Sequence, residues 1–479
     1  MNFFRIPVTA FFIAALWLGQ AKAQDSTAKK LDLNQCIQIA FKNNLDVKRS
    51  ELLSESQKVN LNQAKANLLP NISGSVNHGI NNGRSIDPYT NSYIDQSLKF
   101  ADYAANGSIT LFSGLLLQHA IKQNSLAYQA TKMELQQQKD NLALSVILSY
   151  LQVLNNEDQY QQAVNQATLT RIQVDRSEIL NRDGSIAPST LSDLKGQLAN
   201  DEILMINAKN SLNTAKIDLA KNMNVPNDTA LVVERLNADD LSLINNASAD
   251  SIYQSALTQL SIIKAASYRT QSANKGVQVA RAQYYPTLSL NGNLYSNYSS
   301  AAFTNSLTGN SEINTGQYVK VNGSELPVYS MQNDYAQNKI PYGDQIKNNF
   351  SSSVSVGLAV PIFGRLFYRN RVALAKIDYR EAKYTEETTR IQLKQAVDQA
   401  YINKQSALDR YRKLETQVDA YTESFKAAEA RLNAGVGTSV DYNIAKNNLD
   451  RAKLNLIITK YDYIFRNQIL DYYQGKLFW

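Results

Sequence analysis

"AKANLLPNISGSVN" at Ala64–Asn77 and "ARAQYYPTLSLNGN" at Ala280–Asn293 decide the fold between them. Each closes a helical pattern with Ala–basic–Ala, passes through a proline and then alternates apolar with polar residues. Proline has no N–H to give and ends a helix. A period of two then marks a strand. A chain that makes this unusual switch twice carries an internal duplication, with a helix entering a strand in each copy.

Glycine and proline punctuate the rest. Neither occurs from Leu115 to Asp183 or from Arg365 to Ala434. Each stretch therefore predicts a helix of about 70 residues, about 100 Å long at 1.5 Å per residue. No single globular core is that wide, so the chain is expected to be elongated. The second stretch carries a seam at Leu408, Tyr411, Leu414, Val418, Tyr421, Phe425, Ala428 and Leu432, stepping by three or four as coiled coils do. The first has a weaker seam (Leu142, Val146, Ser149, Val153, Tyr160, Ala163, Ala167, Val174), interrupted by polar residues, which suggests one face in contact with water. Shorter helical patterns cover about 33–68, 189–223, 251–284 and 438–474. Each is about 35 residues, or about 52 Å, so two laid end to end match one long helix.

Strands are expected at about 70–80, 105–113, 286–298 and 351–363. Leu288, Leu290 and Leu294 share one face of the third, and Val354, Val356, Leu358 and Val360 one face of the fourth. The second is short and irregular. Such alternation fits a one-sided soluble sheet or a membrane barrel whose apolar face meets lipid. Long Asn-, Ser- and Gly-rich loops at 81–104 and 299–349 favour the barrel, as external loops would. Four strands cannot close a barrel, so several chains are expected to share one: two would give eight strands, three twelve. Tyr284, Tyr285, Tyr295 and Tyr298 suit anchoring at a membrane interface.

The termini fit export. Arg5, an apolar run from Ile6 to Gly19 and Ala21-Lys22-Ala23 read as a signal peptide over residues 1–23. A membrane anchor is the alternative, but the run is too short to span. Residues 24–250 then form a first repeat, with a linker at 224–250, and residues 251–479 a second. The closing Leu477-Phe478-Trp479 resembles a last-strand signal, but helix precedes it. Cys36, the only cysteine, excludes an internal disulfide and sits in an apolar helical pattern.

Enzymatic chemistry is missing. The two histidines, His78 and His119, have no Cys or carboxylate at ligand spacing, so no metal site is expected. Gly435-Val436-Gly437 is a fragment of a phosphate-binding pattern with no strand before it, and a tight turn between helices suits it better. No nucleophile elbow and no cofactor motif occur. Lys and Arg are scattered among Asp and Glu, which leaves no nucleic-acid stripe.

Several pieces in order resemble the TolC-type outer membrane efflux proteins. They are "LDLNQCIQIAFKNNLDVKRSE" at Leu31–Glu51, the two helix-to-strand entries, "LAVPIFGRLFYRNRVALAK" at Leu358–Lys376 and "LNAGVGTSVDYNIAKNNLDRAK" at Leu432–Lys453. The resemblance implies a mixed α/β membrane protein: a homotrimer sharing a 12-stranded outer-membrane barrel, continued by a long α-helical barrel through the periplasm. It implies a passive exit duct of a tripartite efflux or type I secretion system, not an enzyme. Its partners would be a periplasmic adaptor, an inner-membrane pump of RND or ABC type and outer-membrane lipid. Tip turns carrying Gly184, Ser185, Gly435, Gly437 and Thr438 would meet the adaptor. Acidic residues near the second tip line the family's constriction, which Asp441 roughly matches, with Asp193 next in line. Both also read as helix-start acids opposing the positive end of the helix dipole. The chain departs from the pattern at Pro188, in its long loop 299–349 and in lacking a cysteine for an N-terminal lipid. A structural periplasmic coiled-coil protein with a small soluble sheet is the other reading of the same residues.

Overall fold

The computed structural model describes residues 30–87, 91–226, 231–235 and 247–476. The signal peptide, parts of the linker and Leu477-Phe478-Trp479 lie outside them. The first repeat runs α1 (Leu33–Asn43), α2 (Leu45–Ala66), β1 (Asn71–Asn81), β2 (Arg84–Ile86), β3 (Tyr93–Asp95), β4 (Leu98–Phe112), α3 (Leu116–Arg182) and α4 (Pro188–Met223). The second runs α5 (Ala249–Gln259), α6 (Ser261–Ala282), β5 (Thr287–Ser299), β6 (Phe303–Val321), β7 (Ser324–Lys339), α7 (Tyr342–Asn348), β8 (Ser351–Ala359), α8 (Phe367–Asn433) and α9 (Ser439–Tyr473).

The duplication is close in its lengths. α3 and α8 have 67 residues each, and α4 and α9 have 36 and 35. The entering helix of each repeat is broken at the same place, into pieces of 11 and 22 residues. The sequence reading expects one unbroken helix there. Asn44 takes an extended backbone instead, and its side chain accepts from the N–H groups of Asp46 and Val47, capping α2. Leu260 makes the matching break with a ψ of 134° and no side-chain cap.

α2 and α4 both lie along α3, and α6 and α9 lie along α8. The C-terminal end of α4 meets α1, where Asn224 donates to the carbonyl of Asn43, the last residue of that helix, at 3.0 Å. One long helix therefore stands beside two stacked short ones, the arrangement that the helix lengths predict. At that level sits the main core: Cys36, Ile37, Val47, Val146, Ile147 and Leu219, with neighbours from α9. Burial and nearby Asp32 push the Cys36 thiol up to about 12. Toward the tips the α8 seam from Leu408 to Leu432 is half-buried. The α3 seam is more deeply buried than its polar interruptions suggest, because α3 takes neighbours on several sides.

The central sheet has the order β1-β4-β5-β8, all antiparallel, and leaves β1 and β8 as free edges. The irregular second strand is the longer β4. Its run Ala104-Ala105-Asn106-Gly107 hides the alternation, and pairing with β1 and β5 on both sides fixes it as a strand. β8 stops at Ala359, because Pro361 cannot extend a ladder, and leaves Val360 just past its end. The loop 299–349 also contains more than a loop: β6 and β7 form a long ribbon and α7 a short helix. The ribbon turns at Asn322-Gly323, both with positive φ, a hairpin signal that the sequence carries inside an Asn- and Ser-rich stretch. No described helix is long and apolar enough to cross a membrane.

Candidate functional site

At the far end of the long helices the two turns close in the same way. Ser185 N–H reaches the Leu180 carbonyl at 2.8 Å, and Gly184 N–H the Asn181 carbonyl at 3.0 Å. Val436 and Gly435 repeat the pair on Arg431 and Leu432, both at 3.1 Å. These six-to-one and five-to-two bonds satisfy the last carbonyls of each helix. They require a left-handed residue, which Gly184 (φ 73°) and Gly435 (φ 75°) supply. Gly437 is needed for space: a Cβ there would stand 3.0 Å from the backbone of Arg431 and Leu432.

Asp441 lies exposed in the first turn of α9. Thr438 caps that helix, accepting from Asp441 N–H at 3.1 Å and donating its hydroxyl to the Asp441 carboxylate at 2.8 Å. Asp193 lies exposed in the first turns of α4, where Ala187 offers no side-chain cap and Pro188 opens the helix. Asp193 is bound to the other hairpin: Ser439 Oγ donates to it at 3.1 Å. Arg176 of α3 likewise donates to Asn433 at 2.8 Å. Behind these ties Val174, Leu194 and Tyr442 are buried together, and Phe425 stacks obliquely on Tyr442 at 5.4 Å. Burial first, then the charges of Glu429, Asp450 and Asp201, push the Tyr442 phenol up to about 12. The structure thus joins Asp193 to the second tip, while Asp441 engages its own cap.

The sequence reading missed an ion cluster further up. Lys446 of α9, almost wholly buried, donates to Asp201 of α4 at 2.9 Å and to Asp450 at 2.8 Å. Asp201 also accepts from Thr170 at 2.6 Å and Gln197 at 2.8 Å. A buried carboxylate needs such partners. The Lys446–Asp450 spacing of four was a legible signal; the meeting with Asp201, 245 residues away in sequence, was not. Beside the cluster an amide-rich groove between α3, α4 and α9 is lined by Gln159, Gln166, Asn207 and Arg451.

At the other end, the sheet register sorts its residues by chemistry. Leu288 pairs with Leu358, Leu290 with Val356 and with Ile109, and Gly292 with Val354. Leu294 shares their face. The opposite face carries Ser73, Asn106, Asn293 and Ser353 in one row, and Asn71, Ser108, Asn291 and Ser355 in the next. In the single chain the apolar row stands open: Val354 is 78% and Val356 63% exposed. Among the described residues no group of His, Cys, Asp and Glu could hold a metal. His78 lies in β1 and His119 in α3.

The sequence profile of the outer membrane efflux protein family matches residues 36–225 and 252–474, nearly the whole described chain. No curated protein sequence matches. Among solved structures the fold is similar to the outer membrane protein VceC from Vibrio cholerae, with a TM-score of 0.72 at 15% identity, covering 92% of this chain and 96% of that one. It is similar to CusC, with a TM-score of 0.73 at 16% identity and 92% of each chain covered. It is similar to the CmeC outer membrane channel of Campylobacter jejuni, with a TM-score of 0.70 at 16% identity, covering 99% and 94%.

Proposed function

This chain belongs to the outer membrane efflux protein family, and on that premise we propose that three copies assemble into the passive exit duct of a tripartite efflux or type I secretion system. The family is one of outer-membrane channels that reach into the periplasm, not of enzymes. This removes the reading as a soluble periplasmic coiled coil.

One observation carries the proposal: a four-stranded sheet open at both edges, apolar on one face and polar on the other, continued by 67-residue helices. An open edge of unpaired backbone groups is not tolerated in lipid. Pairing β8 of one copy with β1 of the next satisfies both edges. Three copies give twelve strands and leave room for a lumen, whereas two give eight and a filled interior. The Leu288–Leu358 face then meets lipid and the Asn293–Ser353 face lines water. The helices carry the lumen about 100 Å away from the sheet. At that distance the turns at Gly184 and Gly435 are placed to meet a periplasmic adaptor, which couples the duct to an inner-membrane pump. Symmetry brings three copies of any lumen-facing acid at the tip together. Asp441 is the acid proposed to narrow and charge that mouth.

The mass of the purified protein in detergent tests the assembly, with a trimer expected and a monodisperse monomer counting against it. Val356→Arg and Ser355→Arg test the faces. An arginine at mid-membrane costs roughly 2–4 kcal/mol, so Val356→Arg should lower outer-membrane yield while Ser355→Arg, facing water, leaves it near wild type. Equal loss from both would refute the assignment.

A further inference from the structure

Among the described residues the β6–β7 ribbon is supported chiefly at its base. Its strands pair from Phe303–Lys339 to Val321–Ser324, over the 19 residues of β6, roughly 60 Å. Its base is tied down, where Ile340 N–H meets the Ala302 carbonyl at 3.2 Å and Ser300 N–H the Lys99 carbonyl at 2.9 Å. Along its length it packs against no other element of the described chain to more than a marginal extent. An isolated two-stranded ribbon is marginal in water, and its outer edges are left unpaired.

The ribbon is also two-faced. Tyr335 pairs with Leu307, Met331 with Glu312, Tyr329 with Asn314 and Pro327 with Tyr318, all on one face with Phe303. Phe303, Leu307, Tyr318, Tyr329, Met331 and Tyr335 make an aromatic and apolar stripe along this face, each between 39% and 61% exposed, with Asn310, Glu312, Asn314 and Asn333 between them. The other face pairs Thr304 with Asn338, Ser306 with Ala336 and Ser311 with Gln332 and is polar from the base to Ser311; toward the turn it carries Ile313, Val319, Val321 and Leu326. The ribbon's charges nearly cancel. Glu312, Glu325 and Asp334 stand against Lys320 and Lys339, and Lys320 already pairs with Glu325 at 3.5 Å. Like copies would not repel strongly.

We propose that the stripe is covered by the same stripe of neighbouring copies, so that three ribbons join through Phe303, Leu307, Tyr318, Tyr329, Met331 and Tyr335 into one stalk above the outer mouth of the duct. This rests on the trimer reading. The ribbon leaves the sheet between β5 and β8, and β8 is the edge at which the next copy docks. Threefold closure therefore sets three identical, near-neutral ribbons around one axis, beside an interface already made. Burying the stripe supplies the hydrophobic face that a lone ribbon lacks. Packing between copies also explains why an aromatic stripe persists on a segment that projects away from lipid.

Introduced cysteines test this, because the native Cys36 is buried in the main core, out of reach of the reagents. In the full-length protein, Met331→Cys and Asn333→Cys place a thiol on the stripe face and Gln332→Cys places one on the opposite face. Mild oxidation, with a short bis-maleimide as a longer-reach probe, is read on a denaturing gel, and native mass is read in parallel. The proposal expects up to about two-thirds of the monomer band to shift to a crosslinked dimer at 331 and 333, since one thiol of each three stays unpaired, and the whole band to stay monomeric at 332. A trimer in which neither 331 nor 333 crosslinks overturns the stalk and leaves the trimer standing. Equal crosslinking at 332 overturns the face assignment. A monomer by mass overturns both readings.

Discussion

Ser439 donates its hydroxyl to the Asp193 carboxylate at 3.1 Å, and so ties the starts of two helices that lie 246 residues apart in sequence. Each helix begins just after a tip turn. The bond, with Arg176 to Asn433 nearby, holds one hairpin against the other at the tip end of the long helices.

Loosening that tie should open the tip. A hydrogen bond to a charged group contributes about 1.5–3 kcal/mol, and less where water screens it, as it does here. Asp193→Ala combined with Arg176→Ala should raise the resting single-channel conductance in a planar bilayer without lowering trimer yield. A conductance equal to wild type would mean that the tips are held by the Val174–Leu194–Tyr442 cluster alone.

Charge at the mouth can be separated from capping at Asp441. Thr438 keeps its bond to the residue-441 N–H whatever side chain stands there. Asp441→Asn should therefore leave the melting curve close to wild type. It should weaken cation selectivity and block by multivalent cations from the periplasmic side, since three carboxylates would be lost at once. Unchanged selectivity would reassign Asp441 to the helix cap, with Asp193 the next acid to test.

The buried cluster predicts an asymmetric pair of variants. Lys446→Met leaves Asp201 charged and without its cation, at a cost of about 3–5 kcal/mol. The melting midpoint should fall markedly. Adding Asp201→Asn removes the stranded charge and keeps an acceptor for Thr170, so much of the loss should return. Lys413→Met, on an exposed position of α8, should change little. No recovery in the double variant would show that the lysine acts through packing.

At the tip turns, space and docking can be told apart by position. A side chain at Gly437 runs into backbone at 3.0 Å, so Gly437→Leu should lower the yield of folded trimer. Val436, 79% exposed on the same turn, meets nothing it would need to displace. Val436→Glu should therefore keep trimer yield and reduce both export and adaptor crosslinking. Normal export with Val436→Glu would move the docking surface away from this turn.

The sequence by itself determined what is periodic and local. The proline-marked entries at Pro70 and Pro286 fixed the duplication. Glycine-free runs fixed the two long helices, and alternation at Leu288–Leu294 and Val354–Leu358 fixed the apolar sheet face. Each is legible because its cause lies within a few residues of chain. Local cues also ran out in identifiable places. The breaks at Asn44 and Leu260 fall inside uninterrupted helical patterns. β4 exists through pairing on both of its edges, where Ala104–Gly107 shows no alternation. The β6–β7 ribbon depends on a pairing from Phe303 to Lys339 that its composition masks. Tertiary structure alone decided which distant polar groups meet: Lys446 with Asp201, Arg176 with Asn433, and Ser439 with Asp193. A side chain's charge is written in the sequence. Its partner is set by how the α3–α4 hairpin and the α8–α9 hairpin lie against each other, and that is decided by packing between segments far apart in sequence.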